Sequence, residues 1–239
     1  MHKATKFVFF ALIAMFLLAV RASYAAPATP DDKEKVLRRL DTAAKNFHST
    51  AADFEFDSVE TEPIFDKDVQ KGTVYYERTG TAFKMAAHIR EENGKLSSKV
   101  YTYSNGVFRL FEPGVDQVTT FSKISKFESY LMLGFGASGK DLEEKWEIKY
   151  LGPETLTEGK VSLKTEKLEL VAKDPEVRKY ISKATIWVDP ESGVSRKQIF
   201  YVDSTHYRVS FYFNINVNQP LPGDAFILKT GKKTTYVNR

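Results

Sequence analysis

The sequence predicts a mainly β fold, an antiparallel barrel or half-barrel of about eleven strands with a few short helices. Three observations predict it. Tyr207 to Asn218 alternate apolar and polar without a slip: Tyr207, Val209, Phe211, Phe213, Ile215 and Val217 share one face, and Arg208, Ser210, Tyr212, Asn214, Asn216 and Asn218 share the other. Successive side chains of a strand point to opposite faces, so this is a long antiparallel strand whose apolar side needs a large cover. Asn93-Gly94 and Asn105-Gly106 are type I′ hairpin signals, because both residue types tolerate positive φ. Strand-like segments also succeed one another without the regular intervening helices of a parallel α/β fold.

The elements follow in order. Thr29 caps a helix with Pro30 in its first turn and Asp31 and Asp32 at its positive end. Val36, Leu37, Leu40, Ala43, Ala44 and Phe47 recur at helical spacing. After His48 the period becomes two, with Ala52, Phe54 and Phe56 alternating against Asp53, Glu55 and Asp57. Strands are predicted over 72–78, 82–90, 95–104, 107–112 and 115–121, the last entered through Pro113-Gly114. An insert over 126–145 breaks the meander. Phe127, Tyr130, Leu131 and Leu133 predict a short apolar helix ended by Gly134-Phe135-Gly136, and 140–145 a second. Strands resume at 146–151, 160–171, 184–189 and 194–202. The final strand leaves through Pro220 and Pro222, since proline cannot donate to a ladder.

Residues 1–25 read as a secretory signal peptide. Lys3 and Lys6 precede the apolar run Phe7 to Val20, and Ser23 and Ala25 place small residues for cleavage between Ala25 and Ala26. That run is shorter than the ~20 residues a membrane-spanning helix needs. The expected product is a soluble, periplasmic single domain, 26–239. It has no cysteine, so its stability must come from its core, and thiolate chemistry and lipidation of the chain itself are excluded. Removing the leader lowers the formal charge from +4 to +1, which takes away the electrostatic footprint of a nucleic-acid binder.

Catalytic motifs are weak. Gly134 to Lys140 mimics a phosphate loop, but Asp141 stands where a magnesium-ligating Ser or Thr belongs, so no nucleotide is expected. His48, His88 and His206 are dispersed, Gly-x-Ser-x-Gly is absent, and no metal, cofactor or enzymatic activity is expected. Of the 18 Phe and 12 Tyr, the 14 and 11 beyond the leader are more telling. They either fill a β core or line a concave cavity beneath the insert.

Several segments resemble the LolA family of periplasmic lipoprotein carriers. Phe47 to Phe54 is similar to that family's passage from first helix to first strand. Lys71 to Arg78 followed by Phe83, Lys84 and Met85 resembles its run into Phe-Arg-Trp. Ser104 to Phe108 with Phe111 to Pro113 resembles its hairpin and Tyr-x-Pro turn, Ile186 to Pro190 with Gly193 its Trp-Val-Asp-Pro turn, and Asn218 to Pro222 with Phe226 its closing segment. Lys84 stands where the family's lid-latching arginine would fall, and Met85 where the adjacent tryptophan would. A lysine makes a weaker latch than the forked guanidinium, which suits a general lipid carrier as well as a lipoprotein carrier.

The resemblance implies an incomplete antiparallel β-barrel covered by short helices, LolA-like, which shuttles acylated cargo from an inner-membrane donor to an outer-membrane acceptor as a monomer. A periplasmic lipid sensor or anti-sigma regulator on the same half-barrel is the alternative. Lid candidates are Leu37, Leu40, Phe47, Phe127, Tyr130, Leu131, Leu133 and Phe135. Cavity candidates are Phe54, Tyr75, Phe83, Met85, Phe108, Phe211 and Phe213, with Lys84 at the latch position.

Overall fold

A computed structural model of the chain describes residues 29–80, 82–122, 127–158 and 161–239. The predicted signal peptide and the predicted cleavage between Ala25 and Ala26 lie outside them. Helix α1 (Pro30–Asn46) starts at Thr29, whose hydroxyl accepts from the Asp32 amide while the Asp32 carboxylate accepts from the Thr29 amide. This reciprocal cap satisfies amides that a helix start otherwise leaves unpaired. Val36, Leu37, Leu40 and Ala43 make its buried stripe. At the other end Asn218 donates to the Asn46 carbonyl at 2.6 Å and accepts from the His48 amide at 2.8 Å, tying the helix to the end of the last long strand.

The first meander comprises β1 (Ser49–Glu60), β2 (Asp66–Thr79), β3 (Ala82–Glu92), β4 (Lys95–Leu96), β5 (Val100–Ser104), β6 (Val107–Glu112) and β7 (Gln117–Phe121). The insert carries α2 (Glu128–Leu131) and α3 (Gly139–Lys145). The second meander comprises β8 (Trp146–Glu158), β9 (Val161–Ala172), the single turn α4 (Pro175–Arg178), β10 (Lys183–Asp189), β11 (Val194–Tyr201) and β12 (His206–Val217), with β13 (Thr235–Asn238) at the end of the chain. The sheet order is β13-β7-β6-β5-β3-β2-β1-β12-β11-β10-β9-β8, with β4 beside β3. Its two ends do not pair, so this is an open half-barrel. β7 and β8 stand on opposite flanks, and the chain between them has to cross a face of the sheet. The insert therefore lies over the concave side as a strap.

Among the described residues there are thirteen strands, more than the about eleven expected. One predicted strand, 95–104, is split because Ser97 to Lys99 oppose only Ile89 and Arg90, an extra residue that breaks the ladder. The strand predicted to stop at Leu151 runs on to Glu158: Gly152 takes φ 96° in a bulge, and Pro153 is tolerated because β8 is an edge. The parallel strand β13 and helix α4 had no sequence signal. Both hairpin turns form as expected, with positive φ at Asn93, Gly94, Asn105 and Gly106.

Two core clusters fill the half-barrel. In one, Leu37, Leu40 and Leu133 pack on Leu168, Leu170 and Ile186. In the other, Phe47 and Phe135 pack on Phe54, Tyr76, Phe83 and Met85. The ring of Phe135 stacks on Tyr76 with centroids 3.9 Å apart and meets Tyr212 edge-on at 4.8 Å.

The perfect alternation of Tyr207 to Asn218 conceals a change of face. Asn214 adopts φ 49° and adds a residue to β12 opposite Ala52. Beyond this bulge Ile215 and Val217 turn inward, whereas before it Ser210 and Tyr212 do. Phe211 and Phe213 are 39% and 36% exposed, against 3% for Ser210 and 8% for Tyr212. The expectation that the phenylalanine face needs the cover is thus corrected. Tyr212 can turn inward because its hydroxyl donates to Gln198 Oε1 at 3.1 Å, while Lys197 lies over the outer Phe211 ring at 5.2 Å.

Candidate functional site

Between the strap and the sheet lies a cavity of 450 Å³. Phe54 and Phe56 from β1, Val74 and Tyr76 from β2, and Met85 from β3 form one wall. Phe200, Ser210 and Tyr212 from β11 and β12 form the other, and Tyr130 and Leu131 roof it. The walls are apolar with few polar groups, the composition of a small-molecule site. Burial pushes the phenols of Tyr76, Tyr130 and Tyr212 up, so they stay neutral. Arg208 is the single formal charge on the lining among the described residues.

The strap is held to both halves of the sheet. Gln198, buried, donates to the Leu133 carbonyl at 2.5 Å, and the Ser195 amide donates to the Gly134 carbonyl at 2.7 Å. Tyr103 donates to Glu128 Oε2 at 2.5 Å. From β2, Arg78 Nη1 donates to the Gly136 carbonyl at 2.9 Å. The guanidinium of Arg78, and not the ammonium of Lys84, makes the side-chain bond from this half of the sheet to the strap's Gly136. Lys84 points to the outer face, where it pairs with Glu77 at 2.7 Å and lies over the Phe226 ring at 4.4 Å. The Arg78→Ala change is expected to remove about 1–3 kcal/mol from strap closure. Amides of residues 127–137 should then exchange hydrogen roughly tenfold faster or more; unchanged exchange would show that the bond carries nothing.

Of the sequence candidates, Phe54, Met85, Phe108, Tyr130 and Leu131 come together on the cavity wall. Leu37, Leu40, Phe47, Phe83, Leu133 and Phe135 are buried core that supports the wall or the strap. Phe127 packs edge-on against Tyr180 at 5.4 Å instead of reaching the cavity. Tyr75, Lys84, Phe211 and Phe213 face outward, with Tyr75 packed edge-on against His88 at 5.3 Å. Tyr76, Tyr212, Gln198 and Arg208 were missed. Register could have found two of them: Met85 pairs with Tyr76 and Phe54 with Tyr212, and directly paired residues share a face.

No family model and no curated protein matches the sequence. Among solved structures, an uncharacterized conserved protein from Thermus thermophilus aligns over 86% of this chain and 98% of its own, with 10% identity and a TM-score of 0.53. The two share a fold. The half-barrel is also similar to a LolA superfamily protein from Nitrosomonas europaea, with 14% identity over 82% and 97% of the two chains and a TM-score of 0.41. It is similar again to the Mycobacterium tuberculosis lipoprotein LppX, with 12% identity over 81% and 99% and a TM-score of 0.47. Among the described residues no helix is long and apolar enough to cross a membrane, and no group of three or more His, Asp or Glu could hold a metal ion.

Proposed function

We propose that the half-barrel binds the acyl chain of a lipid or lipoprotein and carries it through the periplasm, from an inner-membrane donor to an outer-membrane acceptor. The observation that supports this reading is the apolar cavity under a strap that is fastened by a handful of polar bonds. Each buried methylene contributes ~0.8 kcal/mol, so a dozen would give roughly 10 kcal/mol, a sub-micromolar grip. Release then requires the roof residues Tyr130 and Leu131, which are only partly buried, to lift while Leu133 and Phe135 keep the strap rooted in the core. The signal peptide read from the sequence supports export.

Native mass spectrometry of protein purified from the periplasm tests the reading. Co-purified lipid or acylated protein is the expected result; an empty cavity with a tight protein partner would favour a sensor instead. Leu131 roofs the cavity and is only partly buried. The Leu131→Glu change is expected to leave the circular dichroism spectrum intact while lowering lipid retention at least tenfold, because a carboxylate would sit among methylenes. Full retention in that variant would sink the roof assignment.

A further inference from the structure

The cavity is almost wholly apolar, yet one cation stands on it. Arg208 lies on the inward side of β12, where its register partners are Ser58 of β1 and Phe200 of β11, and Tyr130 of the strap is its neighbour across the opening. It is exposed, and among the described residues it enters no ion pair. Acidic residues do occur on the rim beyond it, but they are engaged elsewhere. Glu60 and Asp203 both bind His206, at 3.1 and 2.9 Å, and Asp68 accepts from Asn93 at 2.7 Å. Asp66 shares the same outer groove and accepts from the Lys67 amide, so none of these carboxylates is paired with the guanidinium, which stands at the edge of an apolar chamber.

Size narrows the occupant. At about 30 Å³ per methylene-sized unit, close to the liquid volume of a water, the chamber of 450 Å³ holds about fifteen such units. That is one acyl chain. Any further chain of a membrane lipid or lipoprotein would have to lie outside the chamber.

We infer that Arg208 anchors the head of a single-chain anionic lipid, its carboxylate or phosphate on the guanidinium and its one chain beneath the strap. The inference rests on the acyl-binding function proposed above. A guanidinium presents two parallel donors that match either anion, which a lysine would not.

Equilibrium titration of delipidated protein tests it with four probes: palmitate, palmitoyl lysophosphatidylglycerol, methyl palmitate and dipalmitoyl phosphatidylglycerol. Both single-chain anions are expected to bind about tenfold or more tighter than the ester. The ratio should fall to about one in Arg208→Gln and partly recover in Arg208→Lys. Preference for palmitate would identify a fatty acid as the source of the anion, and preference for the lysolipid a phospholipid. A ratio unaltered in Arg208→Gln overturns the anchor, and equal affinity for the two-chain lipid overturns the single-chain assignment. If no probe binds, ester included, the acyl-binding function itself fails and the anchor with it.

Discussion

Gly136→Ala is expected to lower the stability of the fold by about 2–5 kcal/mol and to unseat the strap. Two costs add. Gly136 adopts φ 75°, a left-handed conformation that costs an L-residue roughly 1–2 kcal/mol. A Cβ there would stand 2.3 Å from Phe47 Cδ1, inside a ring that is 3% exposed and has nowhere to retreat. The resulting overpacking adds about 1–3 kcal/mol. Because the Gly136 carbonyl also receives the Arg78 bond, and Phe135 beside it packs on Tyr76 and Tyr212, displacement spreads to the roof of the cavity. Urea unfolding should show a lower midpoint with little change in slope, and limited proteolysis should cut within 127–138 in the variant first. A variant within about 0.5 kcal/mol of the parent would refute the close fit.

Gly72→Ala should be as damaging for a different reason. The backbone of β3 passes so close to this residue that a Cβ would lie 2.0 Å from the His88 carbonyl oxygen and 3.1 Å from Ile89 Cα. Backbone atoms cannot swing aside as a side chain can, so the β2–β3 ladder must part at its bulge between Lys71 and Gly72. A loss of about 3 kcal/mol or more is expected, a fall in Tm of roughly 6–12 °C for a domain of this size. The same ladder sets Val74 and Tyr76 opposite Ala87 and Met85, all on the cavity wall, so lipid retention should fall along with stability. A melting curve that overlays the parent's would disprove the steric account.

Local chemistry made much of this fold legible. Thr29 and Asp32 announce a helix start, and the two Asn-Gly pairs announce hairpins, because each acts within a few residues. What stayed hidden depends on residues distant in sequence. Tyr212 and Phe211 are both aromatic neighbours on one strand, and only the presence of Gln198 and Phe135 on the inner side decides which turns in. The Asn214 bulge left no mark on the polarity pattern, so the alternation looked continuous where the faces exchange. The bond from Arg78 to the strap escaped notice because its partner is a main-chain carbonyl of the insert, which carries no residue-type signature. The strand β13 is short, and its parallel pairing with β7 rests on a partner more than a hundred residues away.

The central pairing of the sheet bears on how the molecule assembles. Apart from the terminal β13, every strand pair but one joins segments close in sequence; the exception is β1 with β12, whose paired residues are about 150 apart. Each meander can therefore form as a local unit at small entropic cost, whereas the β1–β12 seam must draw together the ends of nearly the whole chain. Closing that seam is expected to be the slow step of folding. Asn218, clasping Asn46 and His48 at its end, is placed to hold it once shut.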